Sequence, residues 1–297
     1  MWQAYINMEV ECILQAHDRF GESPVWSSTE AALYWVDVTS PAVRRWRPST
    51  GELRTWPMPE DIGSIGLRRA GGLIAGMRSG LYRIDLATGA VAPVAAPETA
   101  NPDTRFNDGK CDRAGRFWSG TLDDRNFTPI GALYRLDADG ACHRMADGFV
   151  LVNGIAWSPD DRTMYVADSR REVVHAWDFD IASGEIDNQR PFISTEDIPG
   201  RVDGATVDRD GCYWCAHVRG GEVAQYDPDG QRMRRIRLPV RYPLMCTFGG
   251  AALDTLFVTT STALVTPEEA ESQPLAGALF AIHGTDTQGI PEPSFAG

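Results

Sequence analysis

A short aromatic-rich apolar run returns six times along this chain, and that repetition narrows the fold more than any other feature. The copies are Leu33–Asp37, Leu73–Met77, Phe117–Gly120, Met164–Asp168, Cys212–Ala216 and Leu256–Thr259. Each is followed by a second strand-like run, such as Leu81–Ile84, Leu133–Leu136, Val174–Trp177, Val223–Tyr226 or Leu279–Ile282, and then by a turn. The turns, among them Ala87-Thr88-Gly89 and Asp227-Pro228-Asp229-Gly230, carry hairpin chemistry, with Gly supplying positive φ and Asp closing local hydrogen bonds. An interval of roughly 40–50 residues holds three or four antiparallel strands, the size of a propeller blade. No helical period is sustained, and Thr266–Ala270 predicts at most one short turn. A parallel α/β sheet would need helical crossovers, and a sandwich does not account for six in-register copies. The expected fold class is therefore all-β, a six-bladed β-propeller forming a single domain over residues 1–297, with residues 1–8 as an N-terminal extension. Val10–Leu14 precedes the first full repeat and is expected to supply the outer strand of the last blade, removing an exposed sheet edge.

Bulk chemistry excludes several function classes. A net charge of −13 argues against nucleic acid and anionic membrane surfaces, both of which require basic patches. No stretch approaches the roughly 20 apolar residues of a membrane helix. Met1–Val10 lacks the basic and apolar regions of a secretory signal, so a cytoplasmic location and reduced thiols are expected for the six cysteines. Cys212 and Cys215 have C-x-x-C spacing, yet on a strand residues three apart face opposite ways and cannot share one metal. No protein partner is evident.

Four stretches stand out because each places an oxygen-bearing side chain at a Gly-marked position that opens a repeat: Gly21-Glu22-Ser23-Pro24, Phe106-Asn107-Asp108-Gly109, Val152-Asn153-Gly154 and Val202-Asp203-Gly204. In a ring of blades, equivalent positions converge on the axis. Glu22, Asn107, Asn153 and Asp203 would then form an all-oxygen nest with two formal negative charges, a setting for a divalent cation. An isolated Asn-Gly or Asp-Gly is more often a plain turn; four in phase with the repeat point to a site. Asp37, Asp112, Asp168 and Asp208 recur at blade positions and read as scaffold hydrogen-bonders. Asp108 and Lys110, the only lysine, read as a structural ion pair. No histidine pair has ligand spacing and no G-x-S-x-G elbow occurs, which disfavours a serine hydrolase.

These stretches, together with Arg105–Lys110, Phe248-Gly249-Gly250, Gln273–Gly277 and Gly289-Ile290-Pro291, resemble the gluconolactonase family, which also holds regucalcin (senescence marker protein) and luciferin-regenerating enzyme. The resemblance spans nearly the whole chain. It implies a six-bladed propeller with one divalent metal ion (Ca²⁺, Zn²⁺, Mn²⁺, Mg²⁺ or Fe²⁺) and hydrolysis of a small-molecule sugar lactone to the aldonic acid. By position it implies Glu22, Asn153 and Asp203 as metal ligands and Asp203 also as general acid/base, with ligation alone as the other role open to Asp203. It implies Arg105 and Asn107 as substrate contacts, Asn107 alternatively reaching the metal through water. Arg125 stands where some relatives carry a substrate-contacting Glu, so a donor-only group is expected there and with it a different hydroxyl pattern. A metal-dependent esterase or phosphotriesterase on the same site, and a non-enzymatic calcium-binding propeller, are the alternatives.

Overall fold

The structure is a computed structural model and describes residues 8–297. The N-terminal extension expected over residues 1–8 lies outside the described residues except for Met8, which packs against an apolar cluster. Twenty-four strands form six four-stranded antiparallel sheets, so the expected six-bladed propeller is the observed one. Five sheets take their four strands in chain order. The sixth is completed by Glu9–Leu14, which pairs with Leu279–His283, so the ring closes as expected and the last blade reaches four strands like the others. The short turn expected at Thr266–Ala270 is present, with Glu269 N donating to Thr266 O and Ala270 N to Pro267 O, and it runs on into a 3₁₀ turn over Ala270–Ser272.

The first strand of each blade is innermost, and these six strands touch one another around the axis. They are Gly21–Ser27, Ile62–Leu67, Thr104–Cys111, Val152–Trp157, Arg201–Val207 and Pro243–Gly249. Six apolar clusters fill the six junctions between neighbouring blades, so the core is a ring of interfaces. The apolar–aromatic run on each second strand supplies them from both faces. Cys212 and Cys215 illustrate this, packing against the five–six and four–five junctions respectively, and both are free thiols.

The recurring aspartates hold the blade corners. Asp112 accepts hydrogen bonds from Trp118 Nε1 (2.9 Å) and Arg116 Nε (2.6 Å). Asp208 accepts from Trp214 Nε1 (2.8 Å) and Cys212 N (2.9 Å). Asp37 and Asp168 each accept two backbone N–H groups from the connection entering their blade. Each of these pairings meets donors that burial would otherwise leave unsatisfied.

Residues 284–297 run across one end of the ring. Gly289 N donates to Leu253 O, while Phe295 exchanges backbone hydrogen bonds with Leu67 O and Arg69 N, and Ala296 N donates to Gly115 O. Lys110 Nζ points to this end, donating to Ala205 O (2.9 Å) and pairing with Glu292 (3.4 Å). The Asp108–Lys110 ion pair expected from sequence is therefore replaced by Lys110–Glu292. Two residues apart on a regular strand, Asp108 and Lys110 would share one face, but the bulge described below turns them apart. Phe295 is completely buried in the junction of blades two and three. Phe295→Ala should lower unfolding free energy by about 3–5 kcal/mol, as full truncation of a buried aromatic does. Urea titration checks this, and an unchanged midpoint would show that the tail does not clamp the ring.

Candidate active site

One irregularity is shared by all six inner strands: against the second strand of its blade, each carries one extra residue near its start. Register slips between Glu22 and Val25, Phe106 and Gly109, Asn153 and Ala156, and Val202 and Ala205. Blades two and six slip between Ile62 and Ser64 and between Pro243 and Met245. A bulge leaves residues unpaired and swings side chains out of the alternating pattern. At four blades the residues at the bulge are those singled out by the Gly-marked stretches. Ser23, beside Glu22, takes φ +52°, a left-handed conformation uncommon for a residue with a side chain.

The bulges bring Glu22, Arg105, Asn107, Asn153 and Asp203 to one cavity of about 350 Å³, at the end of the ring away from the tail. That size lies in the range of small-molecule sites, about 300–1,000 Å³. Asn153 Nδ2 donates to Ser169 Oγ (2.8 Å), which donates to Val202 O, and this fixes the amide with its oxygen turned inward. Asn153 Oδ1 accepts from Asn107 Nδ2 at 2.6 Å. Asn107 Nδ2 also reaches Val152 O, and its own oxygen accepts from Arg105 Nη1 (3.0 Å). Asn107 thus links the nest to Arg105. Arg105 Nε is held by Asp124 at 3.1 Å, while Arg78 bridges Asp61 and Asp124.

Blade two contributes Gly63 at its bulge, a residue with no oxygen to offer but a clear steric role. A Cβ on Gly63 would lie 2.6 Å from the carbonyl oxygens of both Phe106 and Asn107. Only glycine lets blade three approach closely enough for Asn107 to reach Asn153. Isolated in Ile62-Gly63-Ser64, this residue carried no repeat-phased signal in the sequence.

Electrostatically the nest is short of positive charge. Burial pushes the carboxyls of Glu22 and Asp203 well above the usual carboxylate range. The charge of Asp203 pushes Glu22 further, Asp108 pushes both, and Arg105 pulls both back. Asp108 lies behind the nest: Oδ2 accepts from Ile155 N (3.0 Å), and Oδ1 is buried without a partner. None of the ion pairs among the described residues involves Glu22, Asp108 or Asp203. Nor do three His, Cys, Asp or Glu side chains gather anywhere in ligating geometry among those residues, so a cation here would have to use amide oxygen as well.

Arg125 does not reach this cavity. Its side chain is 74% exposed and pairs with Asp103 at 2.9 Å. Asp123 is the cause: its Oδ1 accepts the backbone N–H of Arg125 and Asn126, and its Oδ2 binds Thr128. The resulting turn sends Arg125 outward and leaves Asp124 on the cavity wall. The specificity role expected for Arg125 is thereby overturned, and a carboxylate stands at the wall after all.

The profile of the SMP-30/Gluconolactonase/LRE-like region matches residues 20–262. The chain belongs to this family. It is 39% identical over 294 residues to a Pseudomonas putida protein named 6-deoxy-6-sulfogluconolactonase, covering 98% of this chain and all of that one. It is 33% identical to regucalcin of Oryctolagus cuniculus over 297 residues, covering 98% and 99% of the two chains. Among solved structures, a calcium-binding regucalcin from Agrobacterium tumefaciens superposes with a TM-score of 0.92 at 23% identity, covering 97% of both chains. At that identity the likeness speaks for the fold, and the family's propeller is the one seen here.

The crowded carboxyls give a pH signature in chelator. A carboxyl whose folded pKa is raised leaves the folded state holding more protons than the unfolded one, so stability falls as pH rises through and above the usual carboxylate range. Asp203→Asn removes that component. In EDTA the variant should be more stable than the parent at pH 8 by on the order of 1 kcal/mol, and the gap should shrink towards pH 5.5. Thermal unfolding of the two proteins side by side tests this, since the lowered carboxyls elsewhere cancel in the comparison; a gap that does not change with pH would contradict it.

Proposed function

We propose that this protein hydrolyses a sugar lactone to its aldonic acid with one divalent metal ion held at the axis. The observation that carries the reading is the convergence of Glu22, Asn153 and Asp203 beside the Arg105–Asn107 pair in a single cavity, in a chain of the gluconolactonase family. The donor set fits a divalent ion. Two carboxylates without a cation and one amide oxygen locked inward by Ser169 supply hard oxygen ligands, and the unpartnered oxygen of Asp108 adds negative potential from behind. Glu22, Asn153 and Asp203 would hold the ion. When bound, it supplies Lewis-acid polarisation of the lactone carbonyl.

The chain's own groups perform the remaining work. Arg105, fixed by Asp124 and by the Asn107 amide, keeps a guanidinium edge towards the cavity that can donate to ring hydroxyls. Asn107 holds that edge in place and presents its amide at the junction of nest and sugar. A burial-raised carboxyl suits Asp203 to accept the proton of the attacking water. As the carbon–oxygen bond of the ring breaks, the same carboxyl returns that proton to the departing ring oxygen, leaving one carboxylic acid and one hydroxyl. Ligation and proton transfer compete for the same oxygens, so Asp203 serves both only if one oxygen is left for each role.

A second reading, an esterase or phosphotriesterase on the same site, draws support from the apolar part of the wall, where Phe20, Leu122, Phe127, Leu151 and Leu264 face the cavity. A pH-stat panel separates the readings: five- and six-carbon aldonolactones, an aryl ester and a phosphotriester, each after chelation and then with Ca²⁺, Mg²⁺, Mn²⁺, Zn²⁺ or Fe²⁺. Turnover of lactones that chelator abolishes and metal restores is expected. Asp203→Ala should lose about 10²–10⁴-fold or more in kcat at saturating metal. Near-normal turnover in that variant would remove Asp203 from the chemistry, and no lactone turned over with any metal would leave a metal-binding propeller without this activity.

A further inference from the structure

Three arginines on the cavity wall take no part in the reaction described above. Arg201 opens the inner strand of blade five, two residues before Asp203. Arg170 lies in the 3₁₀ turn Ser169–Arg171 of blade four, and Arg219 in the corresponding turn of blade five. All three line the cavity, with Arg170 and Arg219 exposed at its rim. They sit close enough that, after burial, the charges of Arg201 and Arg219 are what lower the pKa of Arg170.

This cluster is incompletely compensated. Arg78 and Arg105 share Asp124, and Arg78 also holds Asp61. Arg201 has Glu172 at 3.1 Å. Among the described residues, Arg170 and Arg219 have no carboxylate partner, in a chain whose net charge is −13. Arg170 lies with its guanidinium carbon 3.8 Å from the ring centroid of Phe127, which occupies its face and leaves its N–H edges free. Arg219 has φ +70° and Glu172 φ +57°, so the turns that present Arg219 and hold the partner of Arg201 both keep a left-handed non-glycine residue. Mutual repulsion among three guanidiniums is relieved by one oxyanion, whose several oxygens accept from planar forks in the geometry arginine favours.

We infer that Arg170, Arg201 and Arg219 form a rim subsite for a terminal oxyanion, and that the preferred substrate is an aldonolactone bearing a sulfonate, phosphate or carboxylate remote from its ring carbonyl. The inference rests on the lactonase reading for the nature of the substrate, while the anion subsite itself stands on the rim geometry. The ring lies deep, against Arg105 and the nest, and the charged tail lies at the mouth. Five lining arginines in an otherwise acidic chain also attract such substrates from solution, an effect that salt weakens.

The test has a kinetic and a binding arm. With metal-loaded protein, kcat/KM is compared for glucono-δ-lactone and for the same six-carbon lactone carrying phosphate, sulfonate or carboxylate at its terminal carbon. The expected preference for one charged form is about 10- to 100-fold, the scale of a few hydrogen bonds to a charged group. In the double variant Arg170→Gln/Arg219→Gln this ratio should collapse towards one, and its thermal midpoint should show that it is folded. Which of the three anions is preferred identifies the source of the oxyanion. Equal kcat/KM for neutral and charged lactones overturns the subsite and leaves the lactonase reading intact. If no lactone is turned over, the lactonase reading fails, and calorimetry with methanesulfonate, methyl phosphate and acetate decides the subsite. Binding that the double variant loses upholds it, and no binding overturns it.

Discussion

One extra residue in each inner strand sets the geometry of everything at the axis. Without that bulge, the alternation of a strand would send Glu22 or Asp203 either into a blade junction or along the tunnel wall. With it, Glu22, Asn107, Asn153 and Asp203, from four blades, all line one cavity. The remaining two blades carry Gly63 and Leu244 at their bulges, and neither has a side-chain oxygen to offer. The glycine is not idle, because it admits blade three to the distance at which Asn107 touches Asn153.

This arrangement concentrates charge that the fold does not neutralise. Glu22, Asp203 and Asp108 stand together while the nearby Lys110 is turned away to Glu292 at the opposite end. Arg105 is near enough to pull on the two nest carboxyls but is tied to Asp124. Propeller blades packed through apolar junctions tolerate such local imbalance because stability resides in the ring of interfaces, away from the axis. The same division leaves the loops of the site end free to carry arginines whose repulsion the core need not offset.

The architecture was legible because it is repeated: six copies of one strand pair leave few alternatives, and the closing role of Val10–Leu14 follows from needing a fourth strand for the last blade. Glu22, Asn107, Asn153 and Asp203 were legible for the same reason, since equivalent positions of a ring must converge. Arg125 was misread because position along the chain says nothing about an Asx turn; Asp123 bonds two following N–H groups and exchanges the directions of its neighbours. Lys110 was misread because the bulge at Phe106–Gly109 breaks the alternation that would have paired it with Asp108. The rim arginines gave no signal at all: Arg170 and Arg219 lie in turns of blades four and five, Arg201 opens the inner strand of blade five, and only blade-to-blade packing brings them together.

Ring closure has a consequence for how such a chain comes into being. Glu9–Leu14 leaves the ribosome ahead of every other described strand, yet its partner Leu279–His283 follows more than 260 residues later. At a translation rate of about 5–20 residues per second, the strand waits on the order of ten seconds or more with its hydrogen-bonding edge unfilled. Five blades can assemble in order during that interval, each against its predecessor. Within it the polar character of Glu9 and Glu11, spaced two apart on one face of the waiting strand, guards against pairing with the wrong edge. The two glutamates thus matter most to the molecule before it has finished becoming a ring.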